Sequence, residues 1–230
     1  MHSLLSMEWR NLLFAHWPVP IDVVAESLPS DLSVDTYDGS AWLGVVPFRM
    51  TDIRPRGSPI GWSFNELNLR TYVRLKGEPG VYFYNLDADD RLGVAVARQL
   101  FRLPYYRARM TVHRDGSRTR FQSVRTHQDA PDARFMATYE PTGLPEPARP
   151  DSLAAFLTER YRFYVADDRD RIYYADIDHP PWELQPATVE FERNDLFAAS
   201  GFEEPESERV VHFSPGCHVT AGRLHRHEGQ

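Results

Sequence analysis

The sequence predicts a mainly β fold (α+β), with antiparallel strands closed as a barrel or stacked as a sandwich and two or three short helices around them. The first observation is a series of roughly ten or more segments with the two-residue alternation of strands. The second is that turn residues separate these segments at short intervals. The third is that the 230-residue chain contains no internal repeat and no linker. We therefore expect one domain over residues 1–230, with a substantial core.

The first half of the chain alternates strands with turn signals. A short helix is predicted over Ile21–Leu28, because Pro20 suits a helix start and Pro29 ends the segment. Asp38-Gly39 is typical of a hairpin turn. The predicted strands of this half are Trp9–Trp17, Leu32–Tyr37, Ala41–Met50, Phe64–Val73 and Val81–Leu86.

The second half contains two further predicted helices among strands. Arg91–Arg102 has apolar residues at helical spacing behind an aspartate cap, and Ser152–Tyr161 follows the same pattern behind Asp151 or Ser152. Asp115-Gly116 predicts a tight hairpin. The predicted strands are Tyr106–His113, Thr119–Arg125, Arg134–Glu140, Arg171–Ile177, Ala187–Arg193 and Glu208–Phe213.

The composition excludes several classes of function. A net charge of -7 argues against non-specific binding of nucleic acid or anionic membranes. Cys217 is the only cysteine, and no secretory signal or membrane-spanning stretch is recognisable, so we expect a cytoplasmic protein. Phosphate-loop, zinc-protease and serine-hydrolase motifs are absent, and the histidines near the C-terminus form no convincing metal pattern. We expect neither a cofactor nor a metal.

The segment Phe64–Val73 is the most informative strand. Glu66, Asn68 and Arg70 share one face, while apolar residues occupy the other. One interpretation is a wet cavity, with an acid/base carboxylate and an anion-binding guanidinium about 13 Å apart along the strand. The other is a sheet face turned to solvent. Periodicity leaves both interpretations open.

Two further segments carry titratable or aromatic groups. His179-Pro-Pro-Trp182 combines an imidazole that can titrate near neutral pH with an indole, although a packed turn would have the same composition. Leu103-Pro-Tyr-Tyr106 lies where a predicted helix passes into a strand. Because adjacent strand residues face opposite ways, Tyr105 and Tyr106 cannot both line one cavity.

The chain resembles the YqjF-like family of uncharacterised bacterial and archaeal proteins over nearly its whole length. That family is similar to a branch of the acetoacetate decarboxylase-like superfamily. The resemblance implies a closed, mostly antiparallel β-barrel around a central pocket, in place of the sandwich. The segments that carry it are Trp9–Trp17, Val34–Gly39, Phe64–Val73, Leu103–Tyr105, Glu159–Tyr161 and His179–Trp182.

The resemblance also indicates which chemistry to expect. True acetoacetate decarboxylases form a Schiff base through a lysine that follows a Gly-(aromatic)-Pro turn. The matching stretch here is Leu103–Tyr106, with tyrosines in place of the lysine pair, and a phenol cannot form an imine. Lys76, the only lysine, lies in a predicted turn. Glu66 matches the family's pocket glutamate, and Arg10, judged by its spacing to Trp17, matches an N-terminal pocket arginine.

The leading hypothesis is a pocket for a small organic ligand with a carboxylate or carbonyl group. Arg10 or Arg70 would hold the ligand oxygen, Glu66 would act as acid/base, and Tyr105 or Tyr106 would donate to an enolate-like oxygen. A non-catalytic binding or sensing module is the alternative, and a homo-oligomer is left open. The other candidate ligand contacts are Asn68, His179 and Trp182.

Overall fold

The computed structural model describes residues 3–90, 94, 98 and 101–228. Within them the helices are α1 (Ile21–Ala25), α2 (Leu153–Thr158) and α3 (Leu196–Ala199). The strands are β1 (Leu5–Val19), β2 (Ser33–Val34), β3 (Ala41–Pro55), β4 (Trp62–Leu75), β5 (Glu78–Ala88), β6 (Tyr105–Asp115), β7 (Arg118–Arg125), β8 (Arg134–Pro141), β9 (Glu146–Pro147), β10 (Arg162–Ala166), β11 (Ile172–Asp178), β12 (Glu183–Asn194), β13 (Val210–Ala221) and β14 (His225–Arg226).

The strands close into a barrel. Hydrogen-bonded pairs run through β1, β3, β4, β5, β6, β7, β8, β12 and β13 and back to β1, which makes a closed nine-strand ring. The pairs β5–β6 and β5–β10 are parallel, so the barrel is mixed, although most pairs are antiparallel. The predicted closed, mostly antiparallel barrel is therefore confirmed, and the sandwich is excluded.

A second, smaller ring uses the opposite faces of some of the same strands. The pairs β5–β10, β10–β11 and β11–β13 close a seven-strand ring with β1, β3 and β4. Alternate residues of the shared strands therefore enter two different cores. On β4, Leu67 and Leu69 pack inside the nine-strand ring, whereas Phe64 packs inside the seven-strand ring.

A bulge in β1 changes which residues face the seven-strand ring. Between Arg10 and Ala15, β1 has one more residue than β3, and Asn11 there has a φ of 55°. One extra residue reverses the alternation of side chains. As a result Trp9 before the bulge and Leu12 after it face the same interior.

Most predicted strands are confirmed, whereas several boundaries differ. The helix predicted from Ile21 ends at Ala25, and the strand predicted over Leu32–Tyr37 shortens to β2. Ser152 caps α2, because its Oγ accepts a hydrogen bond from the Ala155 N–H at 3.2 Å. Strands β9, β10 and β14 and helix α3 lie outside the predicted elements. Most of the helix predicted at Arg91–Arg102 falls on residues outside those described.

The only lysine of the chain lies at the surface, as its position in a predicted turn indicated. Lys76 lies in the hairpin turn between β4 and β5, exposed and with a φ of 50°. In the part of the chain that the structure describes, no helix has the length and apolar character to cross a membrane.

Candidate active site

A cavity of about 130 Å³ lies inside the seven-strand ring. Aromatic and aliphatic side chains form most of its wall. One stripe of β4 is polar, because Glu66, Asn68 and Arg70 project into the cavity from consecutive positions of the same strand face. The solvent-facing interpretation of this strand is wrong, since these three side chains are buried. The remaining polar contributors are Tyr105, Thr158, Arg160, Arg162 and His179.

Glu66 is the buried carboxyl group of the cavity. Its Oε2 accepts a 2.5 Å hydrogen bond from the Tyr105 hydroxyl, and its Oε1 accepts one from Asn68 Nδ2 at 3.1 Å. Burial raises the pKa of Glu66 to about 7, although the two hydrogen bonds and the charge of Arg70 reduce the shift. Both protonation states of Glu66 are therefore populated near neutral pH.

Tyr105 remains a hydrogen-bond donor. Burial, followed by the neighbouring charge of Glu66, raises the pKa of Tyr105 well above its ordinary value. The phenol therefore stays protonated and donates a hydrogen bond to Glu66 Oε2. Tyr105 begins β6, and its neighbour Leu86 on β5 lines the same cavity.

Arg70 is a buried cation with neutral partners. Its NH2 group donates to the backbone carbonyl of Leu157 at 3.1 Å and to the Tyr72 hydroxyl at 3.4 Å. The guanidinium carbon lies 5.4 Å from the centre of the Phe14 ring. Across the described residues, no carboxylate forms an ion pair with Arg70, and its Nε has no hydrogen-bond partner. Arg70 is therefore suited to hold an anionic ligand group.

Tyr72 contacts the guanidinium of Arg70, and His16 is hydrogen-bonded to Tyr72. The Tyr72 hydroxyl donates to the Leu157 carbonyl at 2.7 Å, so the 2.7 Å contact with His16 Nε2 must be a hydrogen bond donated by the imidazole. Burial, and then the charge of Arg70, lower the pKa of His16 well below its usual value, which keeps the ring neutral. Gly44 makes room for this ring, because a Cβ there would lie 2.6 Å from it.

Arg160 closes the same end of the cavity with a different arrangement. Its NH1 group donates to Asp35 Oδ2 at 2.7 Å, and its Nε donates to the Phe156 carbonyl at 2.6 Å. Asp35 also accepts from Arg74. Arg160 therefore has a carboxylate partner, in contrast to Arg70.

His179 and Trp182, the two ends of the His-Pro-Pro-Trp segment, both line the cavity. The Trp182 backbone N–H donates to Glu159 Oε1 at 2.9 Å, which fixes the loop. The His179 ring stacks on Tyr161 with centroids 4.5 Å apart, and its Nε2 lies 3.4 Å from the Arg160 carbonyl. The segment is thus a packed turn and part of the cavity wall at once.

Two of the candidate residues lie away from the cavity. Arg10 is exposed and forms a 2.8 Å ion pair with Glu8, because the bulge at Asn11 turns it outward. Tyr106 lies on the opposite face of β6 from Tyr105, where the Arg125 guanidinium lies 4.3 Å from its ring centre. Neither residue touches the cavity that Glu66 enters.

The structure adds four residues that sequence reasoning did not select: His16, Gly44, Tyr72 and Arg160. Tyr72 stands on the polar face of β4 by simple alternation, so a search for partners of that face could have included it. His16 gives no local signal, because only strand pairing places it opposite Gly44. Arg160 reaches the cavity from the segment between α2 and β10, which pattern alone does not position.

The fold and the site together define a closed β-barrel protein with a buried carboxyl group and a buried guanidinium, that of Arg70, in one small cavity. Residues 6–218 match the model of the DUF2071 family, described as an uncharacterized conserved protein. The chain belongs to this family. It is 43% identical over 214 residues to the uncharacterized protein YqjF of Bacillus subtilis (strain 168), covering 92% of this chain and 87% of YqjF.

Solved structures with the same fold include known enzymes. Acetoacetate decarboxylase from Legionella pneumophila matches with a TM-score of 0.64 and 15% identity, over 96% of this chain and 87% of the enzyme. The enduracididine biosynthesis enzyme MppR, complexed with pyruvate, matches with a TM-score of 0.63 and 13% identity, over 98% and 91%. At these identities the likeness establishes the acetoacetate decarboxylase-like fold.

Proposed function

We propose that this protein binds a small organic ligand bearing a carboxylate or carbonyl group in the cavity of the seven-strand ring. The observation that carries the proposal is the buried, unpaired guanidinium of Arg70. Burying a charge without a counter-ion costs several kcal/mol. An anionic or strongly polarised ligand oxygen next to Arg70 would offset that cost.

We further propose that the protein is an enzyme using acid/base chemistry. Glu66 takes a proton from a carbon next to the ligand carbonyl. The electron pair of that C–H bond forms a carbon–carbon double bond, and the π pair of the C=O bond moves onto the oxygen to give an enolate. Arg70 and the Tyr105 hydroxyl stabilise the developing negative charge. Return of the proton to another carbon gives an isomerase, and loss of a leaving group gives a lyase. A pKa of about 7 suits Glu66 to both proton transfers.

The proposed chemistry does not pass through a Schiff base. That reaction needs a lysine amine next to the ligand carbonyl. Lys76 is the only lysine and lies in the exposed β4–β5 turn, while Tyr105 stands where the resemblance places the reactive lysine. Tyr105 can supply a proton and a hydrogen bond, but no imine nitrogen.

A non-catalytic ligand-binding or sensing module is the second candidate. It is favoured by the same exchange, because tyrosines stand where the resemblance places the lysine pair, and Tyr105 is hydrogen-bonded to Glu66 rather than unpartnered. The pyruvate bound to the structurally similar MppR supports a small carboxylate as ligand in either case.

The test begins with ligand binding. Native mass spectrometry of the purified chain would identify a retained ligand, and calorimetric titration would rank a panel of small keto acids, carboxylic acids and ketones. We expect binding of at least one carboxylate that Arg70→Met abolishes and that the surface control Arg120→Met leaves unchanged. Binding unaffected by Arg70→Met would overturn the proposed role of the guanidinium.

Proton transfer separates the two candidates. In deuterated buffer, an acid/base enzyme exchanges the acidic C–H protons of a bound ligand, which proton NMR follows directly. We expect exchange that Glu66→Gln slows at least about a hundredfold, without a matching loss of binding. Ligand binding with no Glu66-dependent exchange would instead identify the binding module.

A further inference from the structure

Four buried polar atoms of cavity-lining side chains have no hydrogen-bond partner among the described residues: Asn68 Oδ1, Arg70 Nε and the indole nitrogens of Trp9 and Trp62. Of these, only Asn68 Oδ1 and Arg70 Nε belong to the polar face of β4. Asn68 is 3% exposed and Arg70 is 7% exposed, and both side chains line the cavity. A buried polar atom left without a partner costs about 1–3 kcal/mol. The polar face of β4 therefore has one hydrogen-bond acceptor, Asn68 Oδ1, and one donor, Arg70 Nε–H, available to a ligand.

The surrounding hydrogen bonds fix the roles of these two atoms. The amide nitrogen of Asn68 donates to Glu66 Oε1, so its oxygen remains as an acceptor. The NH2 group of Arg70 is used by Leu157 and Tyr72, so its Nε–H remains as a donor. Residues 68 and 70 are neighbours on one strand face, about 7 Å apart at their Cα atoms. One small molecule can contact both.

We infer that the ligand is a short-chain hydroxy acid with an apolar end, a refinement that rests on the proposed function. Its carboxylate accepts a hydrogen bond from Arg70 Nε, and a hydroxyl on the second or third carbon donates to Asn68 Oδ1. An ammonium group could donate to the same oxygen. However, the charge of Arg70, which has no carboxylate partner among the described residues, would repel an ammonium group. The Glu66 carboxyl would attract it but is only partly ionised near neutral pH, because its pKa is raised to about 7, so the hydroxyl is the better donor.

The cavity also limits the size and character of the rest of the ligand. A volume of about 130 Å³ is close to the ~150 Å³ of an apolar cavity that holds benzene, so the ligand has roughly six to eight non-hydrogen atoms. The wall facing the polar stripe includes Leu12, Phe14, Phe163 and Trp182. A branched alkyl group of three or four carbons fits these contacts, whereas a second charged group does not.

Four acids of nearly equal size test this inference by calorimetric titration. They are 2-hydroxy-3-methylbutanoate, 2-oxo-3-methylbutanoate, 3-methylbutanoate and valine, with 3-hydroxy-3-methylbutanoate covering the alternative hydroxyl position. We expect one of the hydroxy acids to bind about tenfold more tightly than the oxo acid, the unsubstituted acid and valine, because only a hydroxyl satisfies Asn68 Oδ1 without adding charge.

Variants assign the preference to Asn68. Asn68→Leu removes the acceptor at similar volume, and we expect it to reduce the hydroxyl preference to less than about twofold while the unsubstituted acid still binds. Arg70→Met is expected to abolish binding of all the acids. Circular dichroism of each variant verifies that it folds.

The outcomes distinguish this inference from the proposed function. Arg70-dependent binding of acids without any hydroxyl preference, or a preference that survives Asn68→Leu, overturns the inference and leaves the proposed function intact. Equal or tighter binding of valine assigns the donor to an ammonium group and also overturns it. If no acid or carbonyl compound of either panel binds at millimolar concentration, both are overturned.

Discussion

Strands β1, β3 and β4 contribute to two interiors, and one buried guanidinium in each, Arg125 and Arg70, is accommodated in a different way. Inside the nine-strand ring, Arg125 forms hydrogen bonds to both oxygens of Asp87, at 2.8 and 3.3 Å, and both side chains are almost fully buried. Inside the seven-strand ring, the hydrogen-bond partners of Arg70 in the described part of the chain are all neutral. Charges with equal burial thus differ in whether the protein itself neutralises them.

The difference indicates which charge belongs to the scaffold and which to the site. Asp87 and Arg125 join β5 to β7 where the core is packed, and Leu67 and Leu69 on the shared strand are fully buried among aromatic rings. Burial raises the pKa of Asp87 to about 6 even though Arg125 opposes the shift. Beside the cavity, by contrast, Arg70 has no carboxylate partner among the described residues.

The largest expected effect comes from breaking the neutralised pair. Arg125→Met leaves Asp87 buried and unpaired, so we expect a loss of about 3–5 kcal/mol in the free energy of unfolding, measured by urea titration. Arg70→Met breaks no ion pair, and removal of the buried charge offsets the two lost hydrogen bonds, so we expect a loss of no more than about 1 kcal/mol. Arg120→Met, which loses an exposed pair with Glu192, should change stability by less than about 0.5 kcal/mol. Equal losses in Arg125→Met and Arg70→Met would remove the distinction between the two interiors.

The next effect is a pH dependence due to Glu66. Its pKa is about 7 in the folded chain and 4.5 for the free group, so between these values the unfolded chain ionises first. Wild-type stability therefore falls as the pH rises through this window, by about 3 kcal/mol from this group alone. The Glu66→Gln variant has no ionisable group at this position, so its stability does not fall for this reason as the pH rises.

Urea titrations at several pH values test this dependence. We expect the stability of Glu66→Gln relative to wild type to rise between pH 4.5 and about 7 and then to level off. Glu146→Gln, on the exposed strand β9, is the control, and it should show no comparable trend because water surrounds its carboxylate in both states. A flat difference for Glu66→Gln would contradict the buried acid.

The smallest effect compares two leucines of equal burial. Leu69→Ala opens a void in the packed nine-strand interior, and we expect a loss of about 3 kcal/mol. Leu12→Ala enlarges the existing cavity, where part of the side chain already lacks neighbours, so we expect a loss about 1 kcal/mol smaller. Thermal and urea unfolding of both variants measure the contrast. A Leu12→Ala variant as unstable as Leu69→Ala would indicate that the cavity is filled.

Local pattern predicted the face of β4 but not the faces of its neighbours. Period two placed Glu66, Asn68 and Arg70 together, and the structure retains that arrangement because β4 is regular over those positions. The same rule applied to β1 groups Arg10 with Leu12, whereas the bulge at Asn11 separates them. A single inserted residue with positive φ cannot be inferred from alternation alone.

Pairing between strands decided the tyrosines and the support residues. The dipeptide Tyr105-Tyr106 required one residue inward and one outward, and only the parallel pairing of β6 with β5 selected Tyr105. His16 and Gly44 are far apart in the chain, and their contact exists because β1 and β3 are in register there. Register depends on the whole sheet, so no local window contains it.

The sequence by itself determined the strand-rich character of the chain, the polar face of β4 and the restriction of lysine to Lys76. These properties are local, because they follow from residue type and a period of two. The tertiary structure alone decided that the polar face meets a hollow, that Arg70 stays unpaired there while Arg125 does not, and that Arg10 points outward. Closure of the rings and the bulges in their strands set these distances, and both depend on contacts between segments remote in sequence.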